Sequence, residues 1–380
     1  MLQQNGCLTN NQKEMNVLSL FDGMSCGQIA LKKLGIIPEI YYASEIDKHA
    51  IKQTQLNFPD TVQLGDVTKW KEWDIDWKSI DLLLAGSPCQ GFSFAGKQLD
   101  FDDPRSRLFF VFIDILNHIR SLNPDVLFLL ENVNMKKSHM RIISEFCGVF
   151  PVNINSNLVS AQNRDRWYWT NIKTKQVGLF GEVYSDIPQP KDKGIFLREI
   201  LESEVDAKYY VTPKCREYIT KEFRLKKGYT QIDSKDKALP LMAKGYTNWT
   251  GDYVCVARGR EDGRQHLEPQ STGKTNCLTS VQKDNLILQR ARENNTGGIF
   301  EGKTPTISTC AWEQNNLLAT PECIRRLMPI ECSRLQTVPD WYIWDCSDTQ
   351  IYKMLGNGWT IDVIVHILSY IKEKLHINVA

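Results

Sequence analysis

Short, continuous apolar runs alternate with amphipathic stretches through the first third of the chain, a pattern that predicts strands separated by helical crossovers. Asn16–Phe21 reads as a buried strand, Gln28–Leu34 as a helix closed by Gly35, and Ile40–Ser44 as the next strand. Asp47–Asn57 is helical in pattern, Val62–Leu64 is a short strand, Ile80–Ala85 a fourth, Arg107–Leu122 a helix and Val126–Leu130 a fifth strand. Strands joined in this way make a doubly wound parallel sheet, with ligands at the strands' carboxyl ends. The residues that follow each strand are therefore where chemistry is expected.

Each of those ends carries something. The first turn, Phe21-Asp-Gly-Met-Ser-Cys-Gly27, lacks the G-x-G-x-x-G spacing, but Gly23 and Gly27 let the backbone approach a ligand, and the helix behind them offers free N–H groups. Glu45 follows the second strand, where a carboxylate can accept both hydroxyls of a ribose. Asp66 follows the third, in reach of an adenine amine. Either acid alone reads equally as a solvated loop residue or a helix cap. In succession along one edge the three suit an adenosyl group. Pro88-Cys89-Gln90 closes the fourth run and Glu131-Asn132-Val133 the fifth, so a nucleophile and a proton-handling carboxyl share one rim. That pairing suits covalent chemistry on an electron-poor ring.

Composition narrows the class without naming it. With 380 residues, 42% hydrophobic and 24% charged, the chain can build one large domain and one smaller one. Its 11 cysteines are scattered singly with no Cys-x-x-Cys pair, so reduced intracellular thiols are expected, with neither a disulfide framework nor a metal site. No apolar stretch approaches the roughly 20 residues of a membrane span, and residues 1–14 are Asn/Gln-rich, which reads as a disordered tail before a soluble, cytoplasmic protein. The net charge of +1 conceals an asymmetry: residues 206–320 hold 18 Lys and Arg against 13 Asp and Glu. A polyanion touching mainly that segment fits the excess.

Phe21-Asp-Gly, Glu45, Gly65-Asp66-Val67, Gly86-Ser-Pro-Cys-Gln-Gly-Phe-Ser93, Glu131-Asn-Val133, Gln162-Asn-Arg164-Asp-Arg166, the stretch from Arg326 to Gln336 and Gly356-Asn357 resemble, in order, the motif series of DNA (cytosine-5)-methyltransferases. The resemblance runs from about Asn16 to Leu368 and is interrupted only by the basic segment. It implies a Rossmann-like S-adenosylmethionine-dependent methyltransferase sheet, an α/β fold, with a smaller, mainly β target-recognition domain. The implied layout is a tail at 1–14, a catalytic and cofactor-binding domain at 15–205, target recognition at 206–320, and a C-terminal return at 321–380.

The same resemblance implies the chemistry. Cys89 would add to carbon 6 of cytosine, turning carbon 5 into the nucleophile that takes the methyl group of S-adenosylmethionine, with S-adenosylhomocysteine as product. Glu131 would hydrogen-bond or protonate ring nitrogen 3, and Arg164 and Arg166 would hold the base's carbonyl and orient Glu131. The bland reading of the arginine pair is surface salt bridging. Cofactor contacts are implied at Phe21, Gly23, Glu45, Ile46, Asp66, Val67, Pro88, Leu108 and Asn357, and residues Asp362–Lys374 should form a helix beside the first one. One departure stands out: Gly358-Trp359 occupies the place where bacterial members usually carry a small residue and valine. Because a stacked base is out of reach, the cytosine would be flipped out of duplex DNA, with Gln90–Pro104 as the closing loop and Lys97, Arg105 and Arg107 meeting phosphates.

Within the basic segment, Lys237-Ala-Leu-Pro-Leu-Met, Lys274-Thr-Asn-Cys-Leu-Thr-Ser and Lys303-Thr-Pro-Thr-Ile-Ser-Thr read as degenerate hairpin repeats, the last two running on to Asn285-Leu-Ile and Asn316-Leu-Leu. Such hairpins would present Thr247, Asn248, Trp249, Arg258, Arg260, Arg264, Gln282 and Lys283 to the major groove; the plain alternative is a small β domain without base contacts. A monomer acting on duplex DNA, alongside a separate restriction endonuclease, is the expected setting. Two other functions share these features, a catalytically inactive DNA-binding homologue and an RNA cytosine-5 methyltransferase of the same fold. Intact Cys89, Glu131 and Arg164 oppose the first, and the absence of a Cys-Phe-Thr signature opposes the second.

Overall fold

In the computed structural model, residues 15–86, 104–179, 181–210, 221–227 and 323–371 are described, together with Cys215, Glu217, Tyr218, 237–241, Ala243 and the separate strands of the basic segment. The chain divides into two compact units, Met1–Ile195 with Pro240–Ala243 and Ser333–Ala380, and Phe196–Leu239 with Lys244–Cys332.

The first unit is built on β1 (Asn16–Leu20), α1 (Cys26–Lys33), β2 (Ile40–Ser44), α2 (Lys48–Asn57), β3 (Val62–Gln63), β4 (Ile80–Gly86), α3 (Pro104–Leu122), β5 (Leu127–Val133), α4 (Lys137–Cys147), β6 (Val152–Asn155), β7 (Asp165–Thr170), β8 (Thr174–Val177) and β9 (Glu182–Ser185). Seven of these strands form one sheet in the order β3-β2-β1-β4-β5-β7-β6. The first five are parallel, and β7 runs antiparallel to both β5 and β6. The order reverses between β1 and β4, the point at which a doubly wound sheet opens a crevice at its carboxyl edge.

The reason these segments are strands is burial on both faces. Every residue of β1 is buried, and Leu82, Leu83 and Leu84 of β4 and Leu127, Phe128, Leu129 and Leu130 of β5 have no exposed surface. Each such side chain contributes about 1.5–3 kcal/mol by leaving water, and helices supply the covering layer. Phe109, Phe112, Ile115, Leu116 and Ile119 of α3 pack against β4 and β5 residues in the same core cluster. Aspartates start the short elements: Asp47 accepts from His49 N–H at the head of α2, and Asp66 and Asp76 cap short 3-10 turns over Val67–Glu72 and Trp77–Ser79. An aspartate in that position is worth about 1 kcal/mol because it satisfies an otherwise unpaired N–H.

The strands lie within a residue or two of their sequence positions, and the deviations are informative. β1 stops at Leu20, and Phe21 takes a left-handed backbone with φ +57°. The fifth strand is longer than expected, because pairing with β7 extends it through Glu131-Asn132-Val133. Glu131 is thus inside a strand, on a fixed face, rather than in the loop behind one.

The second unit is mainly strand. After α5 (Glu222–Lys226) come β10 (Thr230–Ile232), β11 (Gly251–Glu261), β12 (Arg264–Pro269), β13 (Leu286–Gln289), β14 (Gly298–Glu301), β15 (Asn316–Ala319) and β16 (Cys323–Arg326). β10, β11, β12 and β16 form one sheet, and β13 sits between β14 and β15 in another. The tails of the second and third sequence repeats, β13 and β15, are antiparallel partners, Leu286 opposite Ala319. In the first repeat only residues 237–241 and Ala243 are described, and 237–241 contain a single bridging residue at Ala238. Pro240 has no N–H to give a ladder, and the Leu241 N–H is bonded to the Gln162 side chain instead. A fully buried, forked ion pair, Arg325 with Glu331, closes this unit, and Glu331 also accepts the Met328 and Glu202 N–H groups. With every polar atom of the carboxylate engaged, the burial of that charge is sustained.

The chain then continues through α6 (Pro329–Leu335), α7 (Asp348–Asn357) and α8 (Ile361–Leu368). α8 packs beside α1, joined to it by an ion pair between Asp362 and Lys33. Lys193 binds the second oxygen of the same carboxylate.

Candidate active site

The crevice edge begins at the first turn. Phe21, Gly23 and Ser25 all have left-handed backbones, at φ +57°, +59° and +63°. Two of the three carry side chains and so hold this shape against local preference. The surroundings that impose it are named hydrogen bonds. Glu45 Oε2 accepts the Gly23 N–H at 2.8 Å, Thr54 Oγ1 donates to the Gly23 carbonyl at 3.3 Å, and the Tyr342 hydroxyl donates to the Met24 carbonyl at 2.9 Å. The buried Cys26 sulfur accepts the Trp359 N–H at 3.4 Å. Burial pushes the Cys26 thiol up to about 12, so this sulfur is a neutral packing group.

Asp22 lies beneath the turn with 8% of its surface exposed, and its Oδ1 accepts the Tyr41 hydroxyl at 2.8 Å. Burial raises its carboxyl to about 6, against hydrogen bonds from Ser19, Tyr41 and Ser25 that act to lower it; the Glu45 charge adds to the rise. A folded-state value above the ordinary 3.8 means that the stability this acid confers is complete below about pH 4 and is lost as pH rises through about 6. Asp22→Asn cannot ionise, so its unfolding free energy relative to the parent protein should increase by about 3 kcal/mol between about pH 4 and about pH 8. Urea denaturation at the two pH values measures the change, and a constant difference would refute it.

Glu45 and Asp66 occupy the next two strand ends. Both Glu45 oxygens are already acceptors, Oε2 for Gly23 and Oε1 for the Ile46 and Asp47 N–H groups at 2.8 Å each. Asp66 is exposed and caps the turn behind it through the Thr68 N–H and hydroxyl, bonds that hold its carboxyl below the usual range. A carboxylate oxygen has more than one acceptor site, so both acids can still receive donors from a ligand. Ile46 is 75% exposed beside Glu45, while Val67 is buried in the core. Phe21 and Leu108 are half-buried against that core, and Asn357 is exposed at the last residue of α7. An exposed aliphatic side chain next to the Glu45 carboxylate suits an adenosyl group.

Farther along the edge, Glu131 and Arg166 come together. In the β5–β7 register Glu131 is opposite Tyr168 and Val133 opposite Arg166, so Glu131 and Arg166 are diagonal neighbours on one face. Arg166 Nε lies 2.9 Å from Glu131 Oε1, both side chains being largely buried. Arg164, two residues earlier, does not join them. Its guanidinium donates to the carbonyls of Leu241 at 3.0 Å, Gly356 at 3.2 Å and Gly358 at 2.9 Å. Three backbone acceptors occupy the fork that the sequence reading assigned to the base. Burial lowers Arg164 to about 10, with Arg166 adding to the shift and Glu131 opposing it; the group remains a cation.

The sequence reading missed the residues that work beside Arg164. Gln336 donates to the carbonyls of Leu355 and Gly358 and accepts the Thr360 hydroxyl, and Gln162 donates to the Leu335 carbonyl. Both glutamines stand in the quoted motifs; the signal was their amide chemistry, which suits simultaneous donation and acceptance in a buried place.

Pro88 and Cys89, the loop residues Gln90–Asp103 with Lys97, and the proposed groove residues Thr247, Asn248, Trp249, Gln282 and Lys283 lie outside the described residues, as do the side chains of Arg105, Arg258, Arg260 and Arg264; Pro104, the last residue of the expected loop, begins α3. Where the Cys89 segment departs is nonetheless fixed. Gly86, the last residue of β4, is in register with Glu131 on β5. The Trp359 indole lies against Gly86 so closely that a β-carbon there would stand 2.8 Å from the ring nitrogen. Four of the five cysteines with described side chains are buried, in line with packing roles. Among the described residues no group of three or more His, Cys, Asp or Glu could hold a metal ion, and no helix is long and apolar enough to cross a membrane.

Residues 15–373 match the family model of C-5 cytosine-specific DNA methylases. The chain belongs to that family. Its membership makes it a DNA cytosine-5 methyltransferase, and relatives agree over nearly the full length. The type II methyltransferase M.HpaII of Haemophilus parainfluenzae is 30% identical, covering 96% of this methylase and 91% of its own length. M1.ScrFI of Lactococcus lactis subsp. cremoris, also a type II methyltransferase, is 28% identical over 94% of this chain and 78% of its own. Among solved structures, the S. pombe Dnmt2 methyltransferase shares the fold, with a TM-score of 0.57 at 19% identity, covering 95% of this methylase and 99% of that chain.

Proposed function

We propose that the methylase transfers a methyl group from S-adenosylmethionine to carbon 5 of a cytosine flipped out of duplex DNA, through a transient bond between Cys89 and carbon 6. The observation that carries this reading is the register of Gly86 with Glu131. Cys89 is three residues beyond Gly86, a reach of about 11 Å at most, which supports a nucleophile acting within range of the Glu131–Arg166 pair.

Each group has a task in that arrangement. The Cys89 thiolate attacks carbon 6, and the electrons displaced toward carbon 5 make it nucleophilic. Glu131, positioned beside Arg166, donates its carboxyl proton to ring nitrogen 3, which neutralises the charge that develops there. Arg166 can also meet the neighbouring carbonyl. Loss of the carbon 5 proton then returns the electrons to the ring and expels the thiolate, which restores the enzyme.

The first turn, Glu45, Ile46 and Asp66 are the residues that would hold the cofactor, whose sulfonium supplies the methyl group when bound. Pro88, Leu108, Val67 and Asn357 complete that set in the proposal. The second unit, with its basic segment, would select the DNA sequence; the relatives named as type II methyltransferases support a setting in restriction and modification within a bacterial cytoplasm, with the methylase acting alone and a nuclease separate.

Incubation with radiolabelled S-adenosylmethionine and either duplex DNA or RNA tests the reading. The expected product is 5-methylcytosine in the duplex. Label in RNA alone would favour the RNA-modifying alternative, and binding without transfer would favour an inactive homologue.

A further inference from the structure

Between α6 and α7 the chain crosses α2 as a strap, residues 339–346, and two side chains of that helix treat it as a neighbouring strand. Gln53 donates to the Asp345 carbonyl at 3.1 Å and accepts the Asp345 N–H at 2.9 Å. Asn57 does the same for Ile343, at 2.9 and 2.8 Å. The spacing explains the fit. Residues four apart lie on one face of a helix, and alternate residues lie on one side of an extended chain. Paired donor-acceptor amides can therefore satisfy alternate backbone positions as a strand would. Lys52 adds an ion pair to Asp345, and Trp341 rests edge-on against Phe58 with Lys32 over its ring.

A turn at Asp340 and Trp341, closed by the Tyr342 N–H on the Pro339 carbonyl at 3.0 Å, leads into a stretch in which exposed residues alternate with more buried ones. With Trp341 and Ile343 exposed at 40% and 58%, Tyr342 is driven inside, where its ring is 4% exposed and its hydroxyl reaches the Met24 carbonyl. Met24 is in the middle of the left-handed turn. We propose that Tyr342 is a positioning residue for the cofactor-binding turn, delivered to it by a strap that Gln53 and Asn57 hold in register. The inference rests on the reading that this turn receives S-adenosylmethionine.

The turn's backbone is strained at Phe21 and Ser25, so it needs outside support to stay in one shape. Without the tyrosine hydroxyl the binding shape is only partly populated, and apparent affinity falls by that fraction. Tyr342→Phe removes the hydroxyl and keeps the ring. It should weaken S-adenosylmethionine, measured by calorimetry and as KM, by roughly five- to tenfold, the effect of one buried hydrogen bond lost. Turnover at saturating cofactor and KM for DNA should stay within about twofold. In ligand-free protein, amides of residues 22–27 should exchange with deuterium faster than in the parent. The double variant Gln53→Ala/Asn57→Ala, which releases the strap at the surface, should weaken the cofactor in the same direction.

Unchanged cofactor affinity in both variants, or parallel losses in cofactor affinity, DNA affinity and turnover, would overturn the positioning role. Failure of the parent protein to bind S-adenosylmethionine would instead overturn the functional reading on which it stands, and the two failures are told apart by that single control.

Discussion

Replacing Cys89 by Ser is expected to reduce methyl transfer by at least about a thousandfold while leaving duplex affinity within about twofold. A thiol is a few per cent thiolate at neutral pH and strongly nucleophilic even so, whereas an unassisted hydroxyl is neither. The change is nearly isosteric, so groups that grip the DNA elsewhere keep their contacts. Cys26 and Cys147, by contrast, are buried, with thiols pushed up to about 12, and are poorly placed to stand in as nucleophiles. An oligonucleotide carrying 5-fluorocytosine gives a second readout. Fluorine at carbon 5 leaves no proton to remove, so the sulfur–carbon 6 bond persists and a cross-linked species should accumulate with the parent enzyme and not with the serine variant. Methylation that continues in Cys89→Ser would remove the nucleophile assignment.

Glu131→Gln should lower turnover by about 10²–10⁴-fold, the usual contribution of a positioned proton-handling group, with KM for DNA changing far less. The amide keeps the size of the side chain and its place on β5 but cannot carry the proton, and it replaces the anion that holds Arg166 Nε at 2.9 Å. Single-turnover kinetics separates the chemical step from binding and release. Turnover near that of the parent protein would leave Glu131 as a structural partner of Arg166 and nothing more.

How much of this was legible in the sequence depended on what the pattern could encode. The parallel strands were, because a strand buried on both faces reads as a near-continuous apolar run, as in Leu82–Ala85 of β4 and Leu127–Leu130 of β5. β6 and β7 were not: Val152–Asn155 and Asp165–Thr170 are short, the first mixing polar with aliphatic residues and the second polar with aromatic ones. Their absence from the expectation left the two arginines with a single shared role. Arg164 and Arg166 are indistinguishable as letters, and only the β5–β7 register sends one to Glu131 and the other to the carbonyls of Gly356 and Gly358.

The cofactor edge shows a related limit. Glu45 and Asp66 were read as ligand acceptors with helix caps as the alternative, and each is an acceptor for its own backbone in the ligand-free protein. The two readings are compatible, since the same carboxylate can fix a turn and face a ligand. Tyr342 was invisible because it sits in an aromatic-rich stretch, Trp341-Tyr-Ile-Trp344, with no periodicity to single it out. Its role emerges only from the amide pairs that set the inward-facing residue.

The turn that opens the fold near residue 24 is fastened by partners 318 and 333 positions downstream, at Tyr342 and Trp359. A polypeptide emerging from the ribosome can form its early strands by local collapse, yet it cannot lock that turn until Tyr342 and Trp359 have been synthesised. Long loop closures of this kind are slow to form, and they postpone the appearance of a competent enzyme until well after its first strands have emerged.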